Sequence, residues 1–182
     1  VFKFYSQPFA FFDRMSASEQ QRLRTAISFL RDNHIAVAVE LPAVERTEAQ
    51  LSVCGRGVEG VVGTGYLQSV ANNMKAAGGV IDFFAMDEPF YYSYYLGLNP
   101  AEATPGTTPC AYSPNDLAAV VGASFKVVRD VFPGVVLGDI EPYYKVLPNH
   151  QTAYTQFLTA LRSQIGAEIA FAHDDVSGAE IA

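Results

Sequence analysis

The chain has 182 residues, 49% hydrophobic and 17% charged, a globular balance that excludes a disordered tail. Its formal net charge of −7 and pI near 4.8 argue against nucleic acid as a partner, because phosphate binding needs a surface rich in Lys and Arg. No apolar run approaches the roughly 20 residues that span a bilayer, so no membrane partner is expected.

The first segment, VFKFYSQ over 1–7, reads as a strand. A helix follows over 16–33: Ser16 is its N-cap, Glu19 completes a capping box, and Leu23, Ile27 and Leu30 fall on one face. IAVAVEL over 35–41 is the second strand, ended by Pro42. A polar loop with Cys54 and the run GRGVEGVVGTG leads to a helix over 66–77, stopped by Gly78-Gly79. This run lacks the GK[ST] of a phosphate loop and does not follow a strand directly. The third strand, 80–86, runs straight into Asp87-Glu88-Pro89, and an aromatic-rich loop follows over 90–112. Ser113-Pro114-Asn115-Asp116 opens a helix that extends to 131, where Pro133-Gly134 punctuates the chain. A fourth strand over 135–140 ends in Glu141-Pro142; a helix over 152–165 and a fifth strand over 168–172 ending in His173-Asp174-Asp175 complete the pattern.

Strict alternation of strand and helix predicts an α/β fold with a parallel sheet, built as a single (β/α) domain over 1–182. Two closures fit: a partial (β/α)8 barrel of the TIM type, or an open parallel sheet. Within the strands one face is bulky and apolar and the other small or polar. A face carrying Lys3, Asp82, Asp139 and Glu168 is easier to place inside a barrel, where charges pair across the axis, than under helices. The barrel is therefore the preferred reading. Eight strands and roughly 250 residues make a whole one. With no initiator Met at Val1 and a stop soon after a strand, the chain is expected to be a trimmed product belonging to a longer protein, its signal segment already removed.

In either architecture ligands bind at the carboxyl ends of the strands, and every strand here delivers a polar group to that end. Two carboxyls suffice for glycoside hydrolysis, one donating a proton to the leaving oxygen and the other attacking the sugar or activating water. Glu88 is the candidate acid: neighbouring Asp87 favours its protonated form, and the alternation Asp82, Phe84, Met86, Glu88 aims it inward. Glu141 is the second catalytic candidate, with Asp87 beside them. Gln7, Glu40, Tyr5, Tyr91, Tyr92, Asp139, Tyr143, His173 and Asp175 are candidates for binding a carbohydrate substrate, the tyrosines offering flat faces to sugar rings. The competing role for each acid is to cap a helix or pair with an arginine. No cofactor is expected. A divalent metal at Asp139, Glu141 and Asp175 is an alternative, as is a carbohydrate-binding barrel without chemistry. Cys54 and Cys110 lack metal or redox spacing and are either free thiols or one disulfide, the latter implying a secreted or periplasmic protein.

The stretches VFKFYSQ, IAVAVELP, CGRGVEG, AMDEPFYY, GDIEP and FAHDDV resemble a bacterial glycoside-hydrolase-like barrel family, across most of the chain. The DEP element also resembles the strand-four acid/base position of the large glycosidase barrel clan, where Asn-Glu-Pro is usual. Asp87 stands in place of that Asn, which leaves the clan's contact to a substrate 2-hydroxyl open. In that clan the nucleophile comes from strand seven. If the first strand here is the barrel's second, the resemblance implies a barrel hydrolase whose nucleophile lies outside this chain.

Overall fold

The computed structural model describes residues 1–174. The strands are β1 (Phe2–Tyr5), β2 (Val37–Leu41), β3 (Val44–Arg46), β4 (Val61–Gly63), β5 (Phe83–Asp87), β6 (Val136–Glu141) and β7 (Ile169–Asp174). The helices are α1 (Gln7–Ala10), α2 (Ala17–Asp32), α3 (Glu48–Leu51), α4 (Tyr66–Ala76), α5 (Leu96–Leu98), α6 (Pro114–Val131) and α7 (Tyr143–Ile165). Five strands form one parallel sheet in the order β1-β2-β5-β6-β7, so the fold is α/β as the alternation predicts. Among the described residues the sheet is open, with β1 and β7 each paired on one side only.

The strand order never reverses. Each crossover therefore steps the same way, and right-handed crossovers place every connecting helix on one face. The packing agrees: Phe4 meets Phe9 of α1 at 5.4 Å between ring centroids, and Phe84 meets Phe125 of α6 at 5.9 Å. Val39, Leu41, Phe84, Met86 and Leu137 are fully buried on this side, under Ile27 of α2, Leu67 and Met74 of α4, and Phe157 of α7. The opposite face carries Lys3, Ala38, Phe83, Ala85, Ile140 and Phe171, which line an uncovered hollow of about 320 Å³. A Cβ on Gly138 would sit 2.0 Å from the Phe171 ring, so this glycine lets the ring lie flat across β6.

The register corrects the expected faces of three acids. Asp139 pairs with Met86 and shares its helix-covered side; Asp82 precedes β5 and accepts the Val37 amide at 2.7 Å; Glu168 precedes β7 and pairs with Arg162. Of the four groups expected inside a barrel, only Lys3 faces the open side. Likewise Phe84 and Met86 point into the helix layer, while Phe83, Ala85 and Asp87 share the open side. Packing decides this parity: α6 presents Phe125 to the sheet, and Phe84 fills the space against it.

Ser16 and Glu19 form the capping box that opens α2, and Ser113 caps α6 through the Asp116 amide. Several features differ from the expected pattern: Gln7 opens α1 instead of ending the first strand, and helical segments fill part of the stretch 90–112 expected as loop. β3 and β4 make a small parallel sheet inside the stretch expected as loop, and Thr47 with Gln50 caps α3 there. α7 consists of the helix expected over 152–165 and a preceding helical stretch from Tyr143, and the two meet at His150, whose backbone is not helical, two residues after Pro148 removes a backbone donor.

Candidate active site

The site is built where β5 and β6 end. Asp87 closes β5 opposite Ile140, and Glu88 follows with a φ of 43°, the left-handed region that a glutamate rarely enters. Its amide donates to the carbonyls of Met86 (3.2 Å) and Ile140 (3.1 Å). Strand parity ends at this turn, so the turn itself sets the direction of the Glu88 side chain, which is 7% exposed. A left-handed backbone costs a residue with a Cβ on the order of 1–2 kcal/mol. Glu88→Gly is accordingly expected to be about 1 kcal/mol more stable than Glu88→Ala in chemical denaturation, since both lose the carboxyl and only glycine loses the strain; equal stabilities would refute the strain.

After Pro89 the chain enters a helical segment of π type, Tyr91–Tyr95, an uncommon form frequent at functional sites. The amides of Phe90 and Tyr91 donate to the two carboxylate oxygens of Glu141, at 2.6 and 2.9 Å. Glu141 is fully buried. Burial, then the charge of Asp139, pushes its carboxyl well above the usual range; the two amides oppose this and Glu88 adds to it. Glu141 and Glu88 are thus electrostatic neighbours.

Asp139, two residues earlier on the same side of β6, is also fully buried. It accepts the Tyr154 hydroxyl in a short hydrogen bond and the Tyr143 hydroxyl at 3.3 Å, with the two phenols 2.8 Å apart. Its Oδ1 has no hydrogen-bond partner among the described residues. Burial pushes Asp139 from 3.8 to about 6 against the pull of the two phenols. Because the folded value lies above the unfolded one, the native state keeps a proton the unfolded chain has released between about pH 4 and 6. Stability therefore falls as pH rises through that window. Asp139→Asn removes this dependence. The difference in Tm between variant and wild type is expected to move in the variant's favour from pH 4 to pH 7, and a constant difference would refute it.

The loop before β4 closes against the same turn. A Cβ on Gly60 would lie 2.6 Å from the Asp87 carbonyl oxygen, so only glycine allows this approach. Tyr92 donates to Glu59 at 2.6 Å, and burial followed by this acceptor pushes its phenol upward. Cys54 and Cys110 form a disulfide that joins this loop to the one after β5. Beside it the buried Arg46 donates to the Tyr112 hydroxyl and, at 3.2 Å, to the Gln50 carbonyl.

The expected site residues divide accordingly. Asp87, Glu88, Tyr91, Tyr92, Asp139, Glu141 and Tyr143 gather around the ends of β5 and β6, with Asp139 and Glu141 turned into the helix layer and Tyr91 buried. Glu40 lies on β2, next to β5 and opposite Ala85, and Tyr5 on β1, one strand further out: Lys3 pairs with Glu40 and lies 5.0 Å from the centre of the Tyr5 ring. Gln7 is exposed at the start of α1. His173 pairs with Ile140 within β7, and Asp175 lies outside the described residues. Tyr154, Glu59 and Lys145, whose Nζ lies 3.3 Å from the Tyr91 hydroxyl, belong to the same neighbourhood and carry no motif that would have revealed them. Among the described residues no group of three or more His, Cys, Asp or Glu side chains is disposed to hold a metal, and no helix is long and apolar enough to cross a membrane. A scan against protein-family models and searches of curated proteins and of solved structures find no match for this chain.

Proposed function

We propose that the chain is a large part of a (β/α)8 barrel that cleaves poly- or oligosaccharide by carboxylate acid/base catalysis, with Glu88 as proton donor and Asp87 as the adjoining carboxylate. One-sided helix coverage and unreversed strand order support the barrel: about three further strands would close the sheet and turn the open face into an interior. The disulfide supports an oxidising compartment, outside the cell or in a periplasm.

The observation that carries the chemistry is Glu88 itself. A carboxyl-bearing residue is held in a left-handed turn at the carboxyl end of a central strand, where glycine would meet no backbone strain. Proton donation to a glycosidic oxygen needs a carboxyl fixed in place and largely shielded from water. Exposed Tyr144 and half-buried Tyr92 lie along the same strand ends and offer ring faces to a sugar. The test is release of new reducing ends from a panel of neutral and acidic polysaccharides. Release by the wild type and its loss in Glu88→Gln is the expected result. Binding of a polysaccharide without any release would leave a carbohydrate-binding protein and end the enzyme reading.

A further inference from the structure

Resting on the role of Glu88 above, we propose that Glu141 is a positioning residue: its carboxylate fixes the backbone that follows the Glu88 turn and thereby sets where the Glu88 carboxyl stands. Four hydrogen bonds carry this. Glu88 donates its amide to Ile140, the Phe90 and Tyr91 amides reach the two oxygens of Glu141, and Tyr92 donates back to the Glu88 carbonyl at 3.0 Å. Two consecutive residues of β6 thus hold the segment 88–91 from one side.

The first amides of a helical segment have no partner within it. Here they receive a carboxylate from a neighbouring strand, at the end of the segment where the peptide dipoles favour negative charge. The same bonds exclude Glu141 from direct chemistry. A nucleophile must reach the anomeric carbon, whereas this carboxylate is fully buried and both its oxygens are engaged. Asp139 with Tyr143 and Tyr154 packs the strand's next helix-facing position, so Glu141 has little freedom to swing outward.

Glu141→Gln is the informative substitution, because its shape is unchanged. Its amide oxygen can still accept one backbone N–H, while its NH2 group opposes the other, donor against donor. Amide hydrogen exchange at Phe90 and Tyr91 is expected to accelerate about tenfold, with the Val39 and Phe84 amides in the sheet unchanged. Turnover should fall about 100-fold with KM within about twofold, as for a misplaced catalytic group. Because Glu141 acts through Glu88, the double variant Glu88→Gln/Glu141→Gln should turn over within about twofold of Glu88→Gln alone; a merely structural loss would multiply the two effects. Unchanged exchange in Glu141→Gln overturns the proposal. So does restoration of Glu141→Ala by azide with formation of a glycosyl azide, which would make Glu141 the nucleophile. Should the wild type release no sugar, the catalytic reading of Glu88 fails, and hydrogen exchange still decides whether Glu141 holds the turn.

Discussion

Glu88→Gln is expected to lower kcat on an unactivated oligosaccharide by about 10²–10⁴-fold, the range that positioned proton transfer contributes. Glutamine matches glutamate in size and keeps the left-handed turn, so folding should be preserved and the loss assignable to the missing proton. The deficit should depend on the leaving group. A nitrophenolate departs with little help from an acid, so the same variant should lose far less on a nitrophenyl glycoside than on a sugar–sugar bond. The alkaline limb of the kcat/KM profile, which reports loss of the donated proton, should disappear with it. Equal losses on both substrates would point to a binding role for Glu88 and refute the donor assignment.

The second large effect is expected at the disulfide. Cys54 and Cys110 are 56 residues apart in sequence, and closing a loop of that size in the unfolded chain contributes about 4 kcal/mol in the chain-entropy treatment. Replacing both by serine should lower Tm on the order of 10 °C for a domain of this length. Cys110 is buried, so the serine hydroxyl left there adds to the loss. Melting the wild type with and without a thiol reductant checks the same quantity without mutation. Coincident melts would show that the bond contributes nothing to the native balance. Activity should respond as well, because the tethered loop brings Gly60 against the Asp87 carbonyl and Glu59 to Tyr92.

The elements that local chemistry specifies could be read directly from the chain. Ser16 with Glu19, and Ser113 with Pro114 and Asp116, mark helix starts that need no tertiary help. Alternation of strands and helices was enough for the parallel sheet. The faces of β5 and β6 were not legible, because Asp139 and Glu141 break the usual sorting of polar from apolar. They occupy helix-facing positions that hydrophobic periodicity reserves for aliphatics, and two phenols of the helix that follows β6, with two backbone amides from the distant segment after β5, make this tolerable. Nothing near Glu141 in sequence announces the Phe90 and Tyr91 amides. Nor could the Glu88 turn be foreseen, since its geometry depends on Ile140 of the neighbouring strand. The helical stretch from Tyr143 was hidden by Pro148, which reads as a breaker, and the helical backbone is indeed interrupted at His150. β3 and β4, three residues each, are too short for a period-two pattern to stand out.

The outer strands of the five-stranded sheet have a further consequence. Along the side that is unpaired among the described residues, each presents backbone donors and acceptors in the spacing that another strand requires, and the neighbouring apolar surface of Phe83, Ile140 and Phe171 adds to the attraction. A preparation of these 182 residues alone should self-associate with rising concentration, and lysines placed along β1 should suppress that association without disturbing the turn at Glu88.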